Sequence, residues 1–130
     1  MRRTALLVGL LIAAAGCCGH REPSWVATRL YLGMNLPGGT VPSADLARFL
    51  DEVVSPAFPD GFTRYDATGQ WRGSAGSERE ATVVIEVVHH AGDSLAAKVL
   101  EVASAYRATF HQESVLVTDG VLSDVRFLDR

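Results

Sequence analysis

The sequence predicts an α+β fold of the ferredoxin-like type, a split βαβ arrangement in which one antiparallel sheet carries two helices on one face. Three observations predict it. Val26 to Leu32 alternates apolar and polar residues, as a half-buried strand does. Two stretches, Leu46 to Val54 and Leu95 to Phe110, repeat apolar residues at helical spacing. Between them stands a run rich in valine and isoleucine, Thr82 to His89, apolar on both faces and therefore expected at the centre of a sheet. The resulting order, β-α-β(β)-β-α-β, is that of the split βαβ fold.

The elements follow in order. Residues 1–16 read as an export signal: Arg2 and Arg3, an unbroken apolar run from Ala5 to Ala15, and small residues up to Gly16. The run falls short of the roughly 20 apolar residues that a membrane-spanning helix needs. Ala14-Ala15-Gly16-Cys17 resembles the bacterial lipobox, where small residues precede a cysteine whose thiol takes a diacylglycerol thioether. Cys17 is thus the expected lipidation site, with Cys18 a bystander. Adjacent cysteines bridge only through a strained ring, and the chain offers no third cysteine for a zinc or redox motif. Residues 17–24, polar and containing Pro23, read as a tether, and residues 25–130 as a single α+β domain.

In the first strand Val26, Thr28, Leu30 and Leu32 face the core, and Ala27, Arg29 and Tyr31 face away. Pro37-Gly38-Gly39 is a turn. Ser43 is expected to cap the first helix, whose stripe is Leu46, Phe49, Leu50, Val53 and Val54, with Ser55-Pro56 as its stop. Phe62 to Asp66 is a strand, Ala67-Thr68-Gly69 a hairpin loop leading into Gln70-Trp71-Arg72, and Gly73 to Ser77 a second loop before the central strand. Gly92-Asp93-Ser94 opens the second helix, with Leu95, Val99, Val102, Tyr106 and Phe110 as its apolar stripe. Val115 to Thr118 is a strand, Asp119-Gly120 a turn, and Val125 to Phe127 an edge strand.

Several phrases taken together, "RLYLGMNLPGG", "FLDEVVSPAFPDGFTRYDATGQWR", "SERE" and "YRATFHQESVLV", resemble the small secreted bacterial proteins grouped as domain of unknown function 3574. The resemblance spans about residues 25–118, and "DATGQWR" and "HQESVLV" are its most specific parts. It implies one compact exported domain and brings no established activity and no catalytic residues.

Charge narrows the function classes. Without residues 1–16, which hold two arginines and no acids, the 12 Lys and Arg become 10 against 15 Asp and Glu, a net charge of −5. That balance argues against a nucleic-acid partner. The helix-free sheet face should carry Arg29 and Tyr31 from one strand, and Thr82, Val84, Glu86 and Val88 from its neighbour. The candidate ligand-binding residues are Arg29 to hold an anionic group, Tyr31 and Trp71 to stack, and Glu86 to orient or take a proton. The plainer reading is a cross-strand Arg29–Glu86 ion pair, covered by a second subunit in a homodimer. His89-His90 point to opposite faces of a strand and do not make a metal site. His111, Glu113 and Ser114 lie close in sequence but lack the elbow of a nucleophilic site, and read as helix end, turn and strand start. No metal and no cofactor is indicated. The expectation is an exported protein, lipid-anchored to a bacterial membrane or else secreted. Its domain is expected to bind a small ligand or a protein; the alternative is a small cofactor-free enzyme with a pocket on or beside the open sheet face.

Overall fold

The computed structural model describes residues 25–73 and 76–129. The signal segment, Cys17 and the tether expected at residues 1–24 lie outside the described residues. The chain runs through β1 (Trp25–Gly33), a small hairpin of β2 (Asn35–Leu36) and β3 (Gly39–Thr40), and a helical run. That run consists of α1 (Ser43–Phe49), a π-helical stretch (Leu50–Val54) and α2 (Ser55–Ala57). There follow β4 (Thr63–Gly73), β5 (Gly76–His90), α3 (Ala96–Phe110) and β6 (Leu116–Leu122). The four long strands form one sheet in the order β4-β5-β1-β6 with every neighbour antiparallel. Both helical layers pack on one face of it, as the split βαβ order requires.

The sheet is amphipathic because side chains alternate across it. Leu30 and Leu32 of β1 and Val83, Ile85 and Val87 of β5 are buried beneath the helices, against Leu46, Phe49, Val54, Val99, Val102, Tyr106 and Phe110. Leu50 and Val53 pack at the margin of this core. Phe49, Tyr106 and Phe110 make the contact between the two helical layers, with ring centroids 4.8 to 5.7 Å apart in edge-on and tilted arrangements. The central position expected of the Thr82–His89 run is that of β5, flanked by β1 and β4.

Several local expectations are corrected. Pro42, not Ser43, occupies the N-cap of α1, and no side chain caps it. Pro56 does not end the helical run, which continues to Ala57. A proline removes an N–H and crowds the carbonyl four residues back. Here the wider π register precedes it, with the Ser55 N–H bonded five residues back to Leu50, and relieves that conflict. Residues 67–69 are not a loop. They lie within β4, one uninterrupted strand of 11 residues, and Gly73 pairs with Gly76, so the expected loop from Gly73 to Ser77 is largely strand. Asp119 and Gly120 are not a turn but sit inside β6, opposite Thr28 and Ala27. Residues 125–127 pair with no strand among the described residues. The second helix begins at Ala96 without a side-chain cap, and the Asp93 carboxylate instead accepts the His90 N–H at 3.1 Å. Pro37-Gly38 does form a turn, with Gly38 at φ 82°, the proline-glycine order of a type II turn joining β2 to β3.

Candidate functional site

The uncovered face of the sheet is built by alternation from Ala27, Arg29, Tyr31 and Gly33 of β1, Thr63, Tyr65, Ala67, Gly69 and Trp71 of β4, and Glu80 to Val88 of β5 at every second residue. Arg29 stands directly opposite Glu86, and the two form an ion pair through the guanidinium Nε. The hydrogen bond to Glu86 raises the Arg29 pKa above its ordinary value, desolvation works against it, and Tyr65 adds to the rise. On the next rung Val84 lies between Tyr31 and Tyr65, and is only 1% exposed although no helix covers it. The face therefore has a small aromatic and aliphatic layer of its own, with Arg29 and Glu86 beside it.

Past Tyr31 the face opens into a cavity of about 450 Å³, within the size range of small-molecule sites. Four segments converge on it. The end of β1 and the β2–β3 hairpin bring Tyr31, Gly33, Asn35, Leu36 and Pro37. The β4–β5 arm brings Trp71, Arg72, Glu78 and Glu80, and the α3–β6 connection brings His111, Gln112, Glu113, Ser114 and Leu116. Of the residues expected to bind ligand, Tyr31 and Trp71 line the cavity, whereas Arg29 and Glu86 pair with each other on the adjoining part of the face. The His111, Glu113 and Ser114 cluster lines the same cavity, although no hydrogen bond joins these three.

Two glycines make room for the lining. A Cβ on Gly33 would stand 2.5 Å from Glu80 Oε1, so the Glu80 carboxylate lies directly over Gly33. A Cβ on Gly69 would stand 2.9 Å from Trp71 Nε1 and 3.2 Å from Thr82 Oγ1, so the indole lies over Gly69 beside the Thr82 hydroxyl. That hydroxyl is buried, with no hydrogen-bond partner among the described residues. Glu80 is held in place by the Asn35 N–H, which donates to Oε1 at 2.9 Å. Gln112 donates to the Asn35 carbonyl at 2.7 Å, which ties the α3–β6 connection to the β2–β3 hairpin. His111, which closes α3, adopts the left-handed conformation at φ 51°, a strained choice for a residue with a side chain. Behind the cavity the Tyr106 hydroxyl donates to the Gly33 carbonyl at 2.7 Å. Burial, and after it the negative charge of Glu80, hold that hydroxyl well above its ordinary pKa.

The cavity has a distinct chemistry. Glu78, Glu80 and Glu113 set three carboxylates against the single guanidinium of Arg72, in a lining that also holds Tyr31 and Trp71. Carboxylates and aromatic faces both attract cations, and an indole also stacks with a flat ring. Glu78, Glu80, Arg72 and Gln112 belong to no spaced catalytic motif, so motif spacing alone does not pick them out. A signal was present nonetheless, since "RLYLGMNLPGG", "DATGQWR", "SERE" and "HQESVLV" are the segments that meet here.

At the opposite end of the sheet His89 and His90 point to opposite faces. His89 Nε2 lies 2.9 Å from the Thr28 hydroxyl, which donates to Asp119 at 2.6 Å, while the His90 ring stacks against Trp25. Among the described residues no group of three or more His, Cys, Asp or Glu is placed to hold a metal ion.

Two solved structures share the fold. A phage SAM lyase in complex with S-methyl-5'-thioadenosine aligns with a TM-score of 0.60 at 18% identity, covering 75% of this chain and 81% of the other. A phage SAM lyase in its apo state gives a TM-score of 0.56 at 21% identity, over 85% of this chain and 86% of the other. At these identities the likeness is one of fold. No curated protein matches the chain. The model of the family described as "Protein of unknown function (DUF3574)" matches residues 27–127, most of the sequence, and the chain belongs to that family.

Proposed function

We propose that this is an exported, lipid-anchored envelope protein whose domain binds a small organic cation bearing a flat ring in the cavity at the end of the open sheet face. The observation that carries the reading is the convergence of Tyr31, Trp71, Glu78, Glu80 and Glu113 around one cavity. Trp71 and Tyr31 hold the ring by stacking, and the carboxylates hold the charge. Arg29 and Glu86 compensate each other, so an anionic group reaching Arg29 has to displace Glu86. The pair serves the site by fixing the floor beside Tyr31. Export and anchoring rest on the sequence of residues 1–17.

A second reading, a small cofactor-free enzyme, is favoured by the likeness to phage SAM lyase, a fold seen with S-methyl-5'-thioadenosine bound. A third use of the same face, pairing with a second copy of the chain, suits the exposed Tyr65, Val88 and Leu116.

Calorimetric titration of the purified protein with SAM and with S-methyl-5'-thioadenosine tests the binding reading. SAM, which is cationic at sulfur, is expected to bind more tightly than the neutral thioether, and Glu80→Gln to narrow the difference. Trp71→Ala is expected to cost about 0.5–2 kcal/mol of binding. Absence of binding by either compound, with no effect on thermal unfolding, would overturn the ligand class. Release of S-methyl-5'-thioadenosine from SAM during incubation would favour the enzyme.

A further inference from the structure

The end of the sheet remote from the cavity carries the most exposed large apolar side chains among the described residues. Trp25 begins β1 there and pairs with His90 and Leu122, with its ring 6.4 Å from that of Phe127. Phe127 is 77% exposed and Leu128 90%. Around the corner, on the helix side, Val121 and Leu100 are also exposed, next to a cavity of about 410 Å³ lined chiefly by apolar residues, Val26 and Leu95 among them. Single exposed apolar side chains need no explanation, but a group of large ones at one end of a small protein marks a contact surface.

We infer that this end of the domain rests on the lipid surface of the membrane, with Trp25, Phe127 and Leu128 as its interfacial anchors; the inference rests on the lipid-anchor reading above. The course of the chain toward Cys17 points to what covers the patch. Trp25 follows Cys17 by eight residues, and a chain of that length spans at most about 29 Å, so an acylated Cys17 keeps this end near the headgroups. Tryptophan with neighbouring phenylalanine and leucine suits the boundary between headgroups and acyl chains. Asp93 and Asp119 line the adjoining cavity, and the segment that holds Phe127 and Leu128 carries Asp129 and an Asp124–Arg126 ion pair at 2.8 Å, an acidic balance that fits a zwitterionic surface better than an anionic one. Gly33, at the cavity, lies eight strand positions up β1 from Trp25, about 26 Å away, so a domain seated on this end presents the binding cavity away from the bilayer.

The experiment uses the full-length protein in the Trp71→Phe background, so that Trp25 is the remaining tryptophan, in phosphatidylcholine vesicles with brominated acyl chains. Co-sedimentation reports anchoring, and quenching of Trp25 fluorescence reports contact. Quenching is expected in wild-type sequence at 127 and 128, with a several-fold fall in Phe127→Asp/Leu128→Asp while co-sedimentation and melting temperature stay unchanged. Adding phosphatidylglycerol is expected not to strengthen it. Co-sedimentation without quenching overturns the contact surface and leaves the anchor standing. A protein that neither sediments nor quenches overturns both. Quenching that ignores the two substitutions overturns the assignment, and so does a change of native mass with no effect of vesicles, which would give the patch to a second copy of the chain.

Discussion

Tyr106 joins the core to the site through one hydroxyl. It is fully buried among Phe49 and Phe110, donates to the Gly33 carbonyl, and lies close enough to Glu80 to feel its charge. Its pKa is raised in the folded protein, so the folded state keeps the proton longer than the unfolded chain does. This contribution is fully present below the ordinary tyrosine value of 10.0 and is lost as pH rises above it. Urea unfolding followed from pH 9 to 11 is therefore expected to show stability beginning to fall at about pH 10, with a shallower fall in Tyr106→Phe. At neutral pH that substitution should cost about 0.5–1.5 kcal/mol through the lost hydrogen bond. Gly33 gives a second test at this scale. Gly33→Ala places a Cβ where the Glu80 carboxylate lies, and the flexible end of Glu80 must leave its bond to the Asn35 N–H. Unfolding free energy is expected to change by about 1 kcal/mol or less, while titration with SAM shows weaker binding. Arg29 and Glu86 are partly solvated, and a double-mutant cycle on the pair should give a coupling of about 0.2–1 kcal/mol.

Among the elements, β5 organises the molecule. It pairs with β4 from Gly76 to Glu86 and with β1 from Thr82 to His90, and its helix-side residues Val83, Ile85 and Val87 are all buried. Ile85→Ala should cost about 2–5 kcal/mol in denaturant unfolding, from lost burial and a residual cavity. A loss below about 1 kcal/mol would place Ile85 outside the core. The strands beside β5 were harder to read in the sequence than β5 itself. Ala67-Thr68-Gly69 and Asp119-Gly120 have the composition of turns, yet both lie in strands. Gly69 leaves space for the Trp71 indole, and the Cα of Gly120 lies beside Arg29, whose Nη1 would stand 3.6 Å from a Cβ there. Asp119 receives the Thr28 hydroxyl. In each case the small or acidic residue answers a packing or hydrogen-bonding partner, distant in the chain for Asp119 and Gly120 and two residues away for Gly69, and the local signal of a turn is indistinguishable from that requirement.

At the scale of the whole molecule the two ends of the sheet differ. One end carries the acidic, aromatic cavity; the other carries the apolar group around Trp25, where residues 1–24 join the domain. If Cys17 carries the lipid, Cys17→Ser should leave an unprocessed precursor, seen as a larger mass, and Cys18→Ser should be processed as wild type. Equal masses and equal detergent partitioning for wild type and Cys17→Ser would overturn the anchor. The expected partition of labour is between an end that places the protein and an end that binds.

What the sequence determined by itself was whatever depends on periodicity. The alternation in β1, the two helical stripes and the doubly apolar β5 specify the layers, the helix-covered face and the strand order, because burying those stripes leaves few arrangements for a chain this short. Alternation also put Arg29 and Glu86 on the same face, and the register brought them opposite each other. Only the tertiary structure decided that the cavity draws its lining from four separate segments. Glu80 reaches it by lying over Gly33, Trp71 by lying over Gly69, and His111 to Ser114 by the way Gln112 ties the end of α3 to Asn35. The Glu80–Gly33 and Gln112–Asn35 contacts join residues dozens of positions apart, and even the short-range packing of Trp71 over Gly69 leaves no periodic trace in the chain; only folding brings these partners together.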